Sequence, residues 1–236
     1  MEQPGMKAKN GKGKGMAGCR IGILGGTFNP VHLGHIRAAL EVKRQFRLEK
    51  VLFIPSSIPP HKRPMAVASP NDRLRMVGLA CRGRKGLSAS PIEIEAGGTS
   101  YSVLTLDKIR RRFAGGEIFF VLGVDAFLEI DTWRDYRRVL EQCHFIVVSR
   151  PGCDLARAHK VLQGSLASRM VELGQEESAE APLPAEPRIF LVPIAALDIS
   201  STDIRRRART GESLRGLVPR AVETYIRRHR LYQGGQ

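Results

Sequence analysis

The sequence predicts an α/β protein built on one doubly wound parallel sheet with helices on both faces. Three observations lead there. Short apolar runs of strand length alternate with longer stretches of helical periodicity along most of the chain. The short runs are apolar throughout instead of alternating, the pattern of strands buried on both faces. The first of them, residues 20–24, ends in Gly25-Gly26 and is followed by a helical stretch, as in a strand–turn–helix unit.

The elements follow in order. Residues 33–46 carry Ile36, Ala39, Leu40 and Phe46 at helical spacing. Residues 51–54 form a second apolar run, closed by Pro55. Residues 71–82 read as a helix through Leu74, Val77 and the apolar 79–81. Residues 92–94 read as a short strand. The stretch 102–112 is an amphipathic helix with Leu106 and Ile109 on one face. Residues 117–122 and 145–148 are strands, and 154–173 reads as a helix. A last strand covers 189–192, and two helices start at Ser201 and Pro219. The acidic, Pro-rich stretch 175–187 reads as a surface loop. No internal repeat is visible.

The 236 residues suffice for one domain with a large core. We assign it to residues 20–236, preceded by a basic Lys/Gly tail over 1–19, with Met16 as another plausible start. The tail lacks the apolar segment of roughly 7–15 residues that a secretory signal needs. No apolar run reaches the length of about 18 residues that would span a membrane. No pair of the four cysteines has the CxxC spacing of a zinc site or redox motif, and so sparse a count fits a reducing, cytoplasmic setting.

The net charge is +15 and lies mostly at the two ends. Five cations face Glu2 in residues 1–20, and nine arginines face Glu212 and Glu223 in residues 204–230. Such ends are solvated helix faces and a tail, or they hold a few arginines that grip phosphate. A nucleic-acid-binding protein is the competing class. Aromatic content of 6 % and the lack of a helix-turn-helix, RRM or zinc-finger signature argue against it.

The first strand–helix turn carries the chemistry. It reads Gly25-Gly26-Thr27-Phe28-Asn29-Pro30-Val31-His32-Leu33-Gly34-His35. Glycine lets the backbone approach a ligand closely and adopt positive φ. A helix starting near Leu33 aims its unpaired N–H groups back at this loop, an anion site in outline. It is neither a Walker A loop nor GxGxxG. His32 and His35 lie three apart, on one side of a helix start, where imidazoles can donate to phosphate oxygens. Zinc would need a third ligand, and none is linked to the pair by spacing, so no protein metal site is expected. Structural histidines remain the alternative. Near the other end, Ser200, Ser201 and Thr202 are capping residues at a helix start, with Arg205 one turn on as a planar phosphate fork.

The segment GGTFNPVHLGH resembles the HxGH signature of the nucleotidyltransferase superfamily, and Ile199-Ser200-Ser201-Thr202-Asp203-Ile204-Arg205 resembles its ISSTxxR motif. Four further segments resemble the nicotinate-mononucleotide adenylyltransferases. They are Pro59-Pro60-His61-Lys62, Ser100-Tyr101-Ser102, Gly123-Val124-Asp125 with Trp133 downstream, and the ending from Leu217 to Tyr232. The resemblance runs from about residue 20 to 232.

It implies a Rossmann-like domain that transfers the adenylyl group of ATP to nicotinate mononucleotide, with Mg2+ held by substrate phosphates. It implies His32, His35 and Arg205 as the catalytic charge stabilisers. Gly25, Gly26, Thr27, Phe28, Gly123, Asp125 and residues 199–202 (Ile199, Ser200, Ser201, Thr202) would bind ATP. Trp133, Arg134, Tyr101, Ser102 and Lys62 would bind the mononucleotide. Trp133, the only tryptophan, would offer a stacking platform for the pyridine ring. Position 102 holds Ser where the family usually has Thr, which keeps a hydroxyl. Lys62 is a point charge for phosphate or a plain surface lysine. Arg73 and Arg75 read as surface or supporting residues. Nicotinamide mononucleotide and phosphopantetheine are the alternative acceptors. No membrane or specific nucleic-acid partner is expected, and the sequence leaves a homo-oligomer open.

Overall fold

The computed structural model describes residues 18–59, 67–149, 152, 154–175, 177, 183–195 and 197–233. They form one sheet of seven parallel strands: β1 (Arg20–Gly26), β2 (Lys50–Pro55), β3 (Leu87–Ala89), β4 (Glu117–Gly123), β5 (His144–Val148), β6 (Met170–Glu172) and β7 (Ile189–Val192). Their order is β3-β2-β1-β4-β5-β7-β6, and every pairing is parallel. The helices are α1 (Leu33–Gln45), α2 (Pro70–Cys81), α3 (Ile92–Ala96), α4 (Ser102–Arg112), α5 (Val124–Phe127), α6 (Tyr136–Gln142), α7 (Ser201–Thr210) and α8 (Arg220–Arg228).

Successive strand residues point to opposite faces, so the apolar strands feed two cores. On one face α1, α2, α7 and α8 cover Val51, Phe53, Phe119, Val121, Phe190 and Val192. On the other, α4, α5 and α6 cover Ile21, Ile23, Ile54, Phe120, Phe145 and Val147. The doubly wound sheet read from the sequence is therefore present. Among the described residues no helix is long and apolar enough to cross a membrane.

Two local expectations need correction. Residues 92–94 are not a strand but the start of α3. Pro91 caps it, and Glu93 and Glu95 sit in its first turn, where carboxylates favour the helix dipole. The strand at that edge is β3, which three residues and a preceding turn make hard to see. The helix expected over 154–173 is two 3₁₀ segments, Leu155–Lys160 and Gly164–Arg169, followed by β6. Gly164 at φ 60° interrupts the backbone there, and an extended 170–172 finds a parallel partner in β7. The short helix α6 was not anticipated. The described part of the 175–187 stretch is loop, and nearly all of the 1–19 tail lies outside the described residues.

β1 has β2 and β3 to one side and β4 to the other, so the strand order reverses between β1 and β4. A crevice opens beyond the carboxyl ends of strands at such a point. Here those ends are Gly25-Gly26 and Gly123.

Candidate active site

The crevice is a cleft of about 1240 Å³. Gly25, Gly26, Thr27, Phe28, His32, His35, Ser200, Ser201, Thr202 and Arg205 line one wall, and Tyr101, Ser102, Trp133 and Arg134 line the other. Gly123 and Asp125 sit between them. Ile199 does not line the cleft; it packs against the core under α7. Lys62 lies outside the described residues.

The first wall begins where β1 ends. Gly25 and Gly26 stay in the strand, and the left-handed residue of the loop is Phe28, at φ 47°. The expected positive φ thus falls two residues later, on a side chain that is buried against Phe53 and His35. A non-glycine residue held there marks a backbone fixed by its surroundings. His32 then caps α1 in extended conformation, and His35 is its third residue. The His32 N–H donates to His35 Nδ1 at 3.2 Å. With Nδ1 accepting, a neutral His35 carries its proton on Nε2. The two rings lie 3.7 Å apart at 32°. His32 is 5 % exposed and His35 half-buried. Gly34 leaves room for the His32 ring. A Cβ on it would stand 3.0 Å from His32 Nδ1 and 3.1 Å from Cε1.

The chain's far end closes over this loop. Ser200 caps α7 by accepting from the Asp203 N–H at 3.1 Å. The Ser201 hydroxyl donates to Pro30 O at 2.9 Å and so holds the loop. Arg205 Nη1 donates to Asn29 O at 2.9 Å and Nη2 to Thr202 Oγ1 at 3.2 Å. Leu33 N–H donates to Leu217 O at 2.9 Å. Asn29 Oδ1 accepts from the Ala68 N–H at 3.0 Å and from the Tyr232 hydroxyl at 2.9 Å. Burial pushes the Tyr232 phenol well above its ordinary value, which keeps it a neutral donor.

The sequence left Arg73 as a surface or a supporting residue, and the supporting one is what the structure shows. The structure buries it to 1 % exposure and sets it on Thr27 O, Ser57 O and Ala68 O. A signal was available. Residues 73, 76, 77 and 80 form one helical stripe, and the other three are the core residues Met76, Val77 and Ala80.

The second wall is aromatic. Trp133 is half-buried and meets Phe120 edge-on at 5.9 Å and 67°, leaving it on the cleft lining. The Arg134 guanidinium lies 4.9 Å over the Tyr101 ring. Glu93 also lines the cleft, and its Oε1 accepts from the Thr105 hydroxyl at 2.6 Å. Burial raises the Glu93 carboxyl above the usual range, against the pull of its Ser100 and Thr105 hydrogen bonds. Sequence reasoning missed Glu93 because it mistook α3 for a strand.

A glycine-bearing strand end, a helix N-terminus with two histidines and an arginine from a second helix form a face rich in hydrogen-bond donors. An aromatic face across the switch point completes a site of the nucleotide-transferring α/β class. Residues 23–207 match the cytidylyltransferase-like family. The chain is 44 % identical over 217 residues to a protein of Desulfatibacillum aliphaticivorans named a probable nicotinate-nucleotide adenylyltransferase, covering 90 % of this chain and 99 % of that one. A Geotalea daltonii protein of the same name is 39 % identical, covering 92 % and 100 %. In fold, it resembles the Plasmodium falciparum nicotinic acid mononucleotide adenylyltransferase complexed with NaAD, with a TM-score of 0.67, 14 % identity, and coverage of 92 % of this chain and 98 % of that one. The chain belongs to the nicotinate-nucleotide adenylyltransferase family.

Proposed function

We propose that this protein transfers the adenylyl group of ATP to nicotinate mononucleotide, giving nicotinate adenine dinucleotide and pyrophosphate, a step in NAD biosynthesis. The observation that supports it most is the pairing of an anion-gripping wall and an aromatic wall across one switch-point cleft, in a chain about as long as relatives of that name.

The 5′-phosphate of the mononucleotide attacks the α-phosphorus of ATP in line. A new P–O bond forms, the bond to the β-phosphoryl oxygen breaks, and pyrophosphate leaves with the electron pair. The attacking phosphate is already ionised at neutral pH, so no general base is needed. Catalysis then rests on holding two reactants in line and stabilising spreading negative charge. His35 Nε2–H, His32 and Arg205 are the donors for that charge. Gly123 and Asp125 border the space for the adenosine. Trp133 stacks on the pyridine, while Tyr101, Ser102 and Arg134 face its carboxylate.

The donor set on the phosphate wall suits oxygen anions, and the described residues contain no cluster of three or more His, Cys, Asp or Glu able to hold an ion. Mg2+ would therefore ride on the ATP phosphates and water, where it screens phosphate charge.

Pyrophosphate release tests the proposal, with ATP, magnesium and one acceptor at a time: nicotinate mononucleotide, nicotinamide mononucleotide or phosphopantetheine. Release with the nicotinate compound, well above that with the amide, is expected, since a site that pairs a carboxylate penalises its neutral analogue. Release only with phosphopantetheine or only with the amide would overturn the acceptor.

A further inference from the structure

Arg73 is the one charge on the inner stripe of α2, where Met76, Val77 and Ala80 are fully buried. Its guanidinium uses every nitrogen. Nε donates to Ala68 O at 3.0 Å, Nη1 to Thr27 O at 2.9 Å and Nη2 to Ser57 O at 2.9 Å. All three acceptors are neutral carbonyls; among the described residues no carboxylate touches the group, and Glu93 acts on it only through space. A buried cation with no carboxylate in contact is costly, and burial lowers its proton affinity against the opposing pull of Tyr232 and Glu93. A methionine would satisfy the same stripe without that cost, so packing does not account for the residue.

The carbonyls do. Thr27 belongs to the phosphate wall of the cleft. Ser57 follows β2, and its N–H donates to Ser100 Oγ at 2.8 Å, beside Tyr101 on the acceptor wall. Ala68 leads into α2 and donates to the Asn29 side chain. One side chain thus ties three segments that border the cleft. Its charge also sits behind the Thr27 loop, in low dielectric, where it acts more strongly than a solvated arginine.

We propose that Arg73 is a positioning residue for the triphosphate: its fork sets the Thr27 loop against the Ser57–Ser100 wall, and its charge is the standing counter-field beneath the polyphosphate. The proposal rests on the ATP-dependent reaction proposed above. It separates two properties, geometry and charge, that Lys and Met divide between them.

The test compares wild type, Arg73→Met and Arg73→Lys as full-length proteins. Thermal unfolding first establishes folding. ATP binding is then titrated by calorimetry, and steady-state kinetics are measured for both substrates. For Arg73→Met we expect ATP affinity to fall by about 10-fold or more and kcat by about 100-fold, with the KM for nicotinate mononucleotide within about threefold. For Arg73→Lys we expect ATP affinity within about threefold of wild type, yet kcat still down by about 10-fold, because the charge returns without the fork. Equal weakening of both substrates would indicate general loosening and overturn the proposal. So would a folded Arg73→Met with ATP affinity and kcat within about threefold of wild type. If Arg73→Met does not fold, Arg73→Lys decides alone, and a kcat within about threefold overturns it. Should wild type bind ATP but adenylylate no mononucleotide, the proposed function fails, while the ATP titration still tests Arg73.

Discussion

On the phosphate wall the loop from Thr27 to Pro30 is held by side chains from the rest of the chain. Arg73 takes the carbonyl of Thr27, Arg205 that of Asn29, Ser201 that of Pro30, and Tyr232 the Asn29 amide. On the acceptor wall the functional groups hold one another. Trp133 leans edge-on against Phe120, and Arg134 lies over Tyr101. The difference follows what each wall has to do. Charge stabilisation in a transition state needs donors that do not relax, so the backbone behind them is over-determined. A flat ring needs a surface of the right shape and polarity, which two aromatic contacts supply. Substitutions on the first wall should therefore act on kcat, and those on the second on KM.

The largest effect is expected at His35. His35→Ala removes the ring whose Nδ1 is fixed by the His32 N–H, and should lower kcat by about 10²–10³-fold, the scale of losing one preorganised donor. Single-turnover rates on folded variant check this. A loss below about threefold would remove His35 from catalysis and break the contrast between the walls.

Gly34→Ala sharpens it. Alanine is the better helix former by about 1 kcal/mol, so α1 itself should not suffer. Its Cβ, however, would meet His32 Nδ1 at 3.0 Å and displace the ring by a few tenths of an ångström. We expect an unchanged or higher Tm together with a kcat about 10-fold lower, because small misplacements in a charge-stabilising site are costly. A lowered Tm with normal kcat would mean that the loop gives way before the histidine does.

These two residues also show how far the sequence alone reaches. The sheet was legible, and so were the two loop motifs that the structure brings to one cleft, because apolar runs, glycines and spaced histidines are local patterns. The supports were not. Arg73, Asn29 and Tyr232 act across separations of 46, 39 and 203 residues, which no periodicity reports. Only the misfit of Arg73 on an apolar stripe hinted at it. Glu93 was lost with the misread α3, and the weakly patterned 154–173 region took its form from pairing with β7. Trp133 was legible as a platform because its neighbours Asp131, Thr132, Arg134 and Asp135 are polar, and it does line the cleft.

Trp133→Ala tests the acceptor wall. Aromatic stacking contributes about 0.5–1.5 kcal/mol beyond area, so KM for nicotinate mononucleotide should rise by about 2- to 13-fold. The ATP KM and kcat should stay near wild type, as read from initial rates with each substrate varied in turn. A fall in kcat of similar size would show that the ring also aligns the attacking phosphate, and the two walls would then share one task.

The smallest effect concerns neither wall and guards the comparison against a confound. His144 begins β5, at the end of the sheet away from the cleft, stacked on Phe119 at 5.1 Å with its Nδ1 accepting from the Arg188 N–H. Burial is the main cause that lowers its pKa below the ordinary imidazole value. The folded state therefore binds the proton less readily than the unfolded one. The stability His144 contributes is complete above the unfolded pKa of about 6.5 and is lost as pH falls through the folded value. Tm should drop between neutral pH and pH of about 5, by more in wild type than in His144→Asn, on the scale of about 2–4 °C per kcal/mol for a chain of this size. Thermal melts across that range measure it. Parallel profiles would place the acid sensitivity elsewhere, and an acid limb in kcat could then be assigned to the phosphate wall without correction for unfolding.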